Sequence, residues 1–115
     1  MSKVASDSPP DQPFESLRSP VRFREVLRRG DRRTVGGITV VSLFVDEPGT
    51  RIGLAVGRTL GSAVIRNRIK RRIRHACRHL DLAPGWDHVV IPAPSTARAS
   101  FSSLVEWLRR ATERP

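Results

Sequence analysis

An α+β fold in a single domain is what this sequence predicts: a mixed sheet packed by helices, in the order α-β-β-β-α-β-α. Three observations point that way. The chain has 115 residues, enough for one domain and short of two. Three segments repeat apolar residues at helical spacing, and the stretches between them carry β-branched runs bounded by glycine and proline. Hydrophobic residues make up 38% of the chain, with two Trp and four Phe among them, which supports one modest core.

The elements follow from local chemistry. Residues 1 to about 16 are rich in Ser, Pro and Asp, with too little apolar surface to offset ordering entropy, so they are expected to form a disordered tail, with the domain spanning 17–115. In "SPVRFREVLRRG", Ser19 suits an N-cap, Pro20 the first helical position, and Gly30 a left-handed helix end. Phe23, Val26 and Leu27 give this helix one apolar stripe. Thr34 and Val35 predict a short strand before Gly36-Gly37, and Ile38 to Val45 a long one. Asp46-Glu47-Pro48-Gly49 is turn chemistry. The returning strand, Arg51 to Val56, places Ile52, Leu54 and Val56 on one face and Gly53, Ala55 and Gly57 on the other. That second face lets another segment approach closely. Ser62 caps a long basic helix, and Pro84-Gly85 follows its end. A last strand runs near His88 to Ile91, and "SFSSLVEWLRRATER" is a final helix with Phe101, Leu104, Val105 and Leu108 inward.

The basic helix carries the functional signal. "VIRNRIKRRIRHACRHL", residues 64–80, holds seven Lys or Arg side chains and no carboxylate, in a chain of net charge +10. At 100° per residue, Ile65, Ile69, Ile73, Ala76 and Leu80 fall within roughly 80° of arc. The helix is therefore expected to be anchored along one line and basic almost everywhere else. Solvated faces normally alternate sign so that i,i+4 pairs form. Here like charges repel, and a phosphate-rich partner is implied. Guanidinium dominates, since Lys3 and Lys70 are the only lysines, and its fork suits phosphate. Asn67 adds an amide that donates and accepts, suited to a base edge or a 2′-hydroxyl, or is merely a tolerated polar residue.

Other classes fit poorly. His75 and His79 have metal-ligand spacing, but no Glu lies between them and the surrounding arginines repel a divalent ion, so no metal site is expected. Cys77, the only cysteine, has no base partner and reads as packing in a reducing cytoplasm. Acids are scattered, with no set resembling a metal-dependent nuclease. No apolar run is long enough to span a bilayer, and the N-terminus lacks the apolar core of a secretory signal. No membrane partner is expected, and no DNA: a groove-reading helix needs a dimer or free exposure, whereas this one is tied to a core.

With "GLAVGRTLGSAVIRNRIKRRIRHACR" in view, the chain resembles the protein component of bacterial ribonuclease P. The likeness rests on the Arg66-Asn67-Arg68 run with Ile69-Lys70-Arg71 and Arg74 after it, on the "IGLAV" strand, and on the "RFREVLRRG" helix. It covers about residues 17–110. The resemblance implies an accessory subunit of an RNA-catalysed endoribonuclease that removes the 5′ leader from precursor tRNA. The catalytic RNA uses Mg²⁺; the protein binds no cofactor and has no catalytic side chains of its own. It implies the α+β fold of the second domain of a small-subunit ribosomal protein, with a left-handed βαβ crossover where the default is right-handed. Arg66, Asn67, Arg68, Lys70, Arg71 and Arg74 would face the catalytic RNA. Phe23, Leu27, Thr39, Val41 and Leu43 would line a cleft for the leader. The family often has aromatic residues where Leu27 and Val41 stand, which implies weaker base stacking here. A structural RNA-binding protein of the ribosome is the second reading that composition allows, and the Arg-Asn-Arg helix argues against it.

Overall fold

The computed structural model describes residues 13–114. In chain order its elements are β1 (Glu15–Ser16), α1 (Pro20–Arg29), β2 (Asp31–Val35), β3 (Ile38–Phe44), β4 (Thr50–Leu54), α2 (Ala63–Cys77), β5 (Trp86–Pro92) and α3 (Phe101–Thr112). Short 3-10 turns at Arg58–Leu60 and Pro94–Ala97 precede α2 and α3. Each helix starts on a serine whose hydroxyl accepts a backbone N–H three residues on: Ser19 from Arg22, Ser62 from Ile65, Ser100 from Ser103.

The five strands form one mixed sheet in the order β1-β4-β5-β3-β2. β3 runs antiparallel to both β2 and β5, while β4 lies parallel to β1 and to β5. Side chains alternate between the two faces. Ile38, Val40, Ile52 and Val90 pack under α2 and α3, which contribute Ile69, Ile73, Ala76, Cys77, Leu104, Leu108 and Ala111 to the main core. Val41 and Val89 belong to a smaller cluster on the opposite face, covered by α1 through Val26.

The expected α+β order is present, with one strand added in front. The tail expected at 1–16 lies outside the described residues up to position 12. Its last part is ordered: Phe14 is buried in the main core, and Glu15 and Ser16 pair with Arg51 and Ile52. The domain therefore begins earlier than 17. Gly30 ends α1 with φ −75° rather than in the left-handed region. Its small size is what matters, because a Cβ there would sit 2.6 Å from the Val26 carbonyl oxygen and 2.7 Å from Val41 Cγ1. The small face of β4 is used as expected, with Phe23 lying where a Gly53 Cβ would come within 2.8 Å of its ring.

Two anchors of the predicted apolar stripes sit elsewhere. Ile65 is 40% exposed, because the first turn of α2 overhangs the core and the side chain lies over Gly61. Cys77 takes the inward place instead, fully buried, with burial pushing its thiol up to about 12. Phe101 is likewise outside the core, edge-on to His79. Replacing Ile73 with Ala should therefore cost about 2–5 kcal/mol in urea unfolding, and Ile65→Ala under about 1 kcal/mol.

β5 also carries a buried titratable group. His88 bonds Ser42 across the β3–β5 pair, 2.7 Å from its hydroxyl oxygen. Burial, then the positive charge of Arg114 and of Arg51, pushes its pKa from 6.5 down to about 4, against the opposing attraction of Asp87. The unfolded chain thus binds a proton that the folded chain refuses between those two values. Stability should be flat in this term above pH 6.5 and fall by about 3 kcal/mol as pH drops toward 4. Chemical denaturation midpoints across that range check it, with His88→Gln lacking this component of the slope.

Candidate nucleic-acid interface

α2 presents its cations as the helical wheel predicts. Its inward line is Ile69, Ile73, Ala76 and Cys77, none with any exposure. Asn67, Arg68, Arg71, Arg74, His75 and Arg78 are exposed, and Arg66 and Lys70 are half-buried. The Arg66 Nε is covered and has no hydrogen-bond partner. Arg72, on the edge of the stripe, is structural: its guanidinium donates to the Thr96 carbonyl at 2.6 Å and to that of Ala99, tying α2 to the approach to α3.

Among the described residues no carboxylate pairs with any α2 cation. The other helices differ. On α1, Glu25 accepts from Arg28 and from Arg29, and both pull the Glu25 carboxyl below its ordinary range. On α3, Glu106 accepts from Arg109 at 2.6 Å. The unpaired positive face is therefore a property of α2 and not of arginine content alone. Cys77 lies in the core while His75 and His79 are exposed, so these three do not converge.

The second candidate surface lies on the opposite face of the sheet. Phe23 and Leu27 from α1 meet Leu43 and Val41 from β3 in one cluster, with Ala55 of the β4 extension and Ile91 of β5 joining them. Phe23, Leu27 and Leu43 are half-buried and leave apolar surface open. Val41 does not: it has no exposure, because α1 lies directly over it. Thr39 sits further along β3, its hydroxyl 2.9 Å from that of Thr34 on β2. The expected lining is thus corrected: Val41 is packing beneath the cleft. Ala55 and Ile91 are the members that strand alternation on β4 and β5 could have supplied.

A buried charge cluster fixes α1 over this surface. Asp87, at 1% exposure, accepts from Arg22 Nε at 3.1 Å and from Arg22 Nη2 at 2.9 Å on the same oxygen, with a further bond from Nη2 to its other oxygen at 3.1 Å. Arg51 Nε donates to Asp87 as well, while its Nη1 donates to the Pro48 carbonyl at 2.9 Å. Arg22 also reaches Glu47 at 3.1 Å. Burial works against the Arg22 cation, but its hydrogen bonds and attraction to Asp87, and then to Glu47, outweigh this and raise its pKa. The first turns of α1, the start of β5 and the β3–β4 turn are held by one carboxylate.

These features define a small α+β domain with a strongly basic face along one helix. Comparison with known proteins places it more closely. A profile of the family described as Ribonuclease P matches residues 12–115. The ribonuclease P protein component of Nocardioides sp. is 44% identical over 100 residues, covering 82% of this chain and 85% of that one. That of Acidothermus cellulolyticus is 45% identical over 93 residues, 76% of this chain and 77% of the relative. The RNase P protein structure from Thermotoga maritima superposes with a TM-score of 0.75 at 27% identity, over 85% of this chain and 94% of that one. The Staphylococcus aureus RNase P protein shares the fold, with a TM-score of 0.70. The chain belongs to the ribonuclease P family, as a protein component of that enzyme.

The charge cluster makes an ordered prediction. Asp87→Asn leaves Arg51 buried without its counter-charge and should cost about 3–5 kcal/mol in unfolding experiments. Arg22→Met leaves Asp87 paired with Arg51, so its cost should be clearly smaller.

Proposed function

We propose that this chain binds the catalytic RNA of ribonuclease P through α2 and holds the 5′ leader of precursor tRNA against α1 and the sheet, assisting endonucleolytic removal of that leader in the cytoplasm. The observation that carries the reading is the α2 face on which Arg68, Arg71 and their neighbours have no carboxylate partner among the described residues. Guanidinium forks on that face suit phosphate oxygens of a folded RNA. Each phosphate neutralised releases counterions, which makes binding strong at low salt and steeply salt-dependent. Asn67, exposed between Arg66 and Arg68, offers both a donor and an acceptor to a sugar hydroxyl or base edge.

On the other face, Phe23, Leu27 and Leu43 provide apolar contact for unstacked bases, a mode that tolerates varied sequence because every base has a π-face. The chain's share of the reaction is binding and orientation: holding leader and RNA together makes an otherwise bimolecular encounter local. A divalent ion, when bound by the RNA, supplies activation of the attacking water. Among the described residues no three His, Cys, Asp or Glu side chains gather into a ligand set. No helix among the described residues is long and apolar enough to cross a membrane.

The expected result is a linear fall of log affinity for the catalytic RNA with log salt. Arg68→Gln and Arg71→Gln should each reduce the slope by about 0.7–0.9. Leader removal at low Mg²⁺ should be faster with the protein than with the RNA alone. Binding that ignores ionic strength, or ribosomal RNA as the dominant RNA captured from cells, would overturn the reading.

A further inference from the structure

The cations of α2 do not all face one way. Lys70 and Arg74, one turn apart, look into a groove of about 270 Å³ between α2 and the segment that precedes α1. Phe14, Leu17, Phe23, Ile52, Gly53 and Leu54 form its other walls together with a third cation, Arg18, and among the described residues no carboxylate lines it. Asn67, Arg68, Arg71, His75 and Arg78 lie outside the groove.

The floor of the groove has unused hydrogen-bonding capacity. β1 ends at Ser16, opposite Ile52, and the last backbone bond on that side runs from Leu17 N–H to the Ile52 carbonyl at 3.0 Å. Beyond it the outer edge of β4 has no strand partner among the described residues. Ala55 N–H is directed to Val90 on β5, and successive strand residues point to opposite sides, so the Leu54 peptide faces the open edge. One donor and one acceptor therefore stand beside an apolar floor, with Lys70 and Arg74 above it on α2 and Arg18 in the facing wall.

We propose that Lys70 and Arg74 serve the leader and not the catalytic RNA: they clamp the backbone of one unpaired nucleotide whose base enters this groove. The assignment deepens the function proposed above and rests on it, because Phe23 borders both the groove and the cleft under α1. The groove falls just below the range of about 300–1,000 Å³ typical of small-ligand sites, which fits a single base and excludes a duplex. An inorganic anion would satisfy the cations and leave the apolar walls unmatched. An added peptide strand would find only a short edge.

The test uses the holoenzyme reconstituted with its catalytic RNA. Affinity is measured for precursor tRNA with leaders of increasing length and for leaderless tRNA, and the ratio defines the leader gain. Lys70→Gln/Arg74→Gln should lower the leader gain about tenfold while changing affinity for the catalytic RNA no more than Arg68→Gln alone does. Arg68→Gln/Arg71→Gln, which removes the same charge, should do the reverse. Loss of catalytic-RNA affinity in the first pair with the leader gain intact overturns the proposal. Phe23→Ala separates it from the underlying reading: a leader gain reduced by Phe23→Ala but untouched by the Lys70/Arg74 pair sinks this inference alone. A gain untouched by both sinks the cleft as well.

Discussion

The protein depends on holding a self-repelling helix in place along a single line. Arg66 with Lys70, Arg68 with Arg72, Lys70 with Arg74, and Arg74 with Arg78 are like charges at i,i+4, each destabilising by roughly 0.2–0.5 kcal/mol. Fully buried Ile69 and Ile73 each contribute about 1.5–3 kcal/mol, and Ala76 and Cys77 complete the contact. The core term outweighs the repulsion by a clear margin. A fifteen-residue helix of this composition is marginal in isolation; packed on β4, β5 and α3 it persists with its charges unpaired. The repulsion is thereby retained in the folded protein, where a polyanion laid along this face would relieve it.

On the opposite face the constraint is electrostatic in place of hydrophobic. α1 touches the sheet through few apolar groups, chiefly Val26 on Val41 and Phe23 over Gly53. Asp87 supplies what that small contact area lacks. A carboxylate taken out of water is costly unless geometry and hydrogen bonding are good, and here two guanidinium groups satisfy it from different directions. Because Arg22 comes from α1 and Arg51 from β4, the pair fixes the helix against two strands at once. The cleft walls are thus set before any ligand binds, which lowers the entropy cost of binding.

Much of this was legible in the sequence. Serine caps placed the starts of α1 and α2, β-branched runs placed the long strands, and the wheel placed most of the basic face. What failed had no local signal. β1 is two residues long, too short to show alternation, and exists because Arg51 and Ile52 lie beside it. Ile65 sits on the correct side of the wheel, but periodicity does not say where the surface beneath a helix ends. Val41 was assigned its proper face, yet only the path of α1 shows that this face is covered there. Asp87 read as one scattered acid, since its partners stand 65 and 36 residues away. The groove is assembled from three distant segments and is invisible to any window of sequence.

The distribution of carboxylates gives the domain its polarity. Glu25 neutralises part of α1, Glu106 part of α3, Asp31 lies within 3.5 Å of Arg114, and Glu47 and Asp87 take up Arg22 and Arg51. Among the described residues α2 is the one helix none of whose cations has such a partner, so a large share of the net charge of +10 is concentrated along it. A field concentrated in that way steers a polyanion before contact and orients the encounter. Under the function proposed above, a folded RNA is drawn to the α2 side first, by an attraction that is electrostatic and sequence-independent. The apolar contacts beside Phe23 act only over short range, so in the same proposal a single strand engages them after that approach. Arginine placement alone does not produce this asymmetry; among the described residues it comes from carboxylates that pair with cations of α1 and α3 and with none of α2.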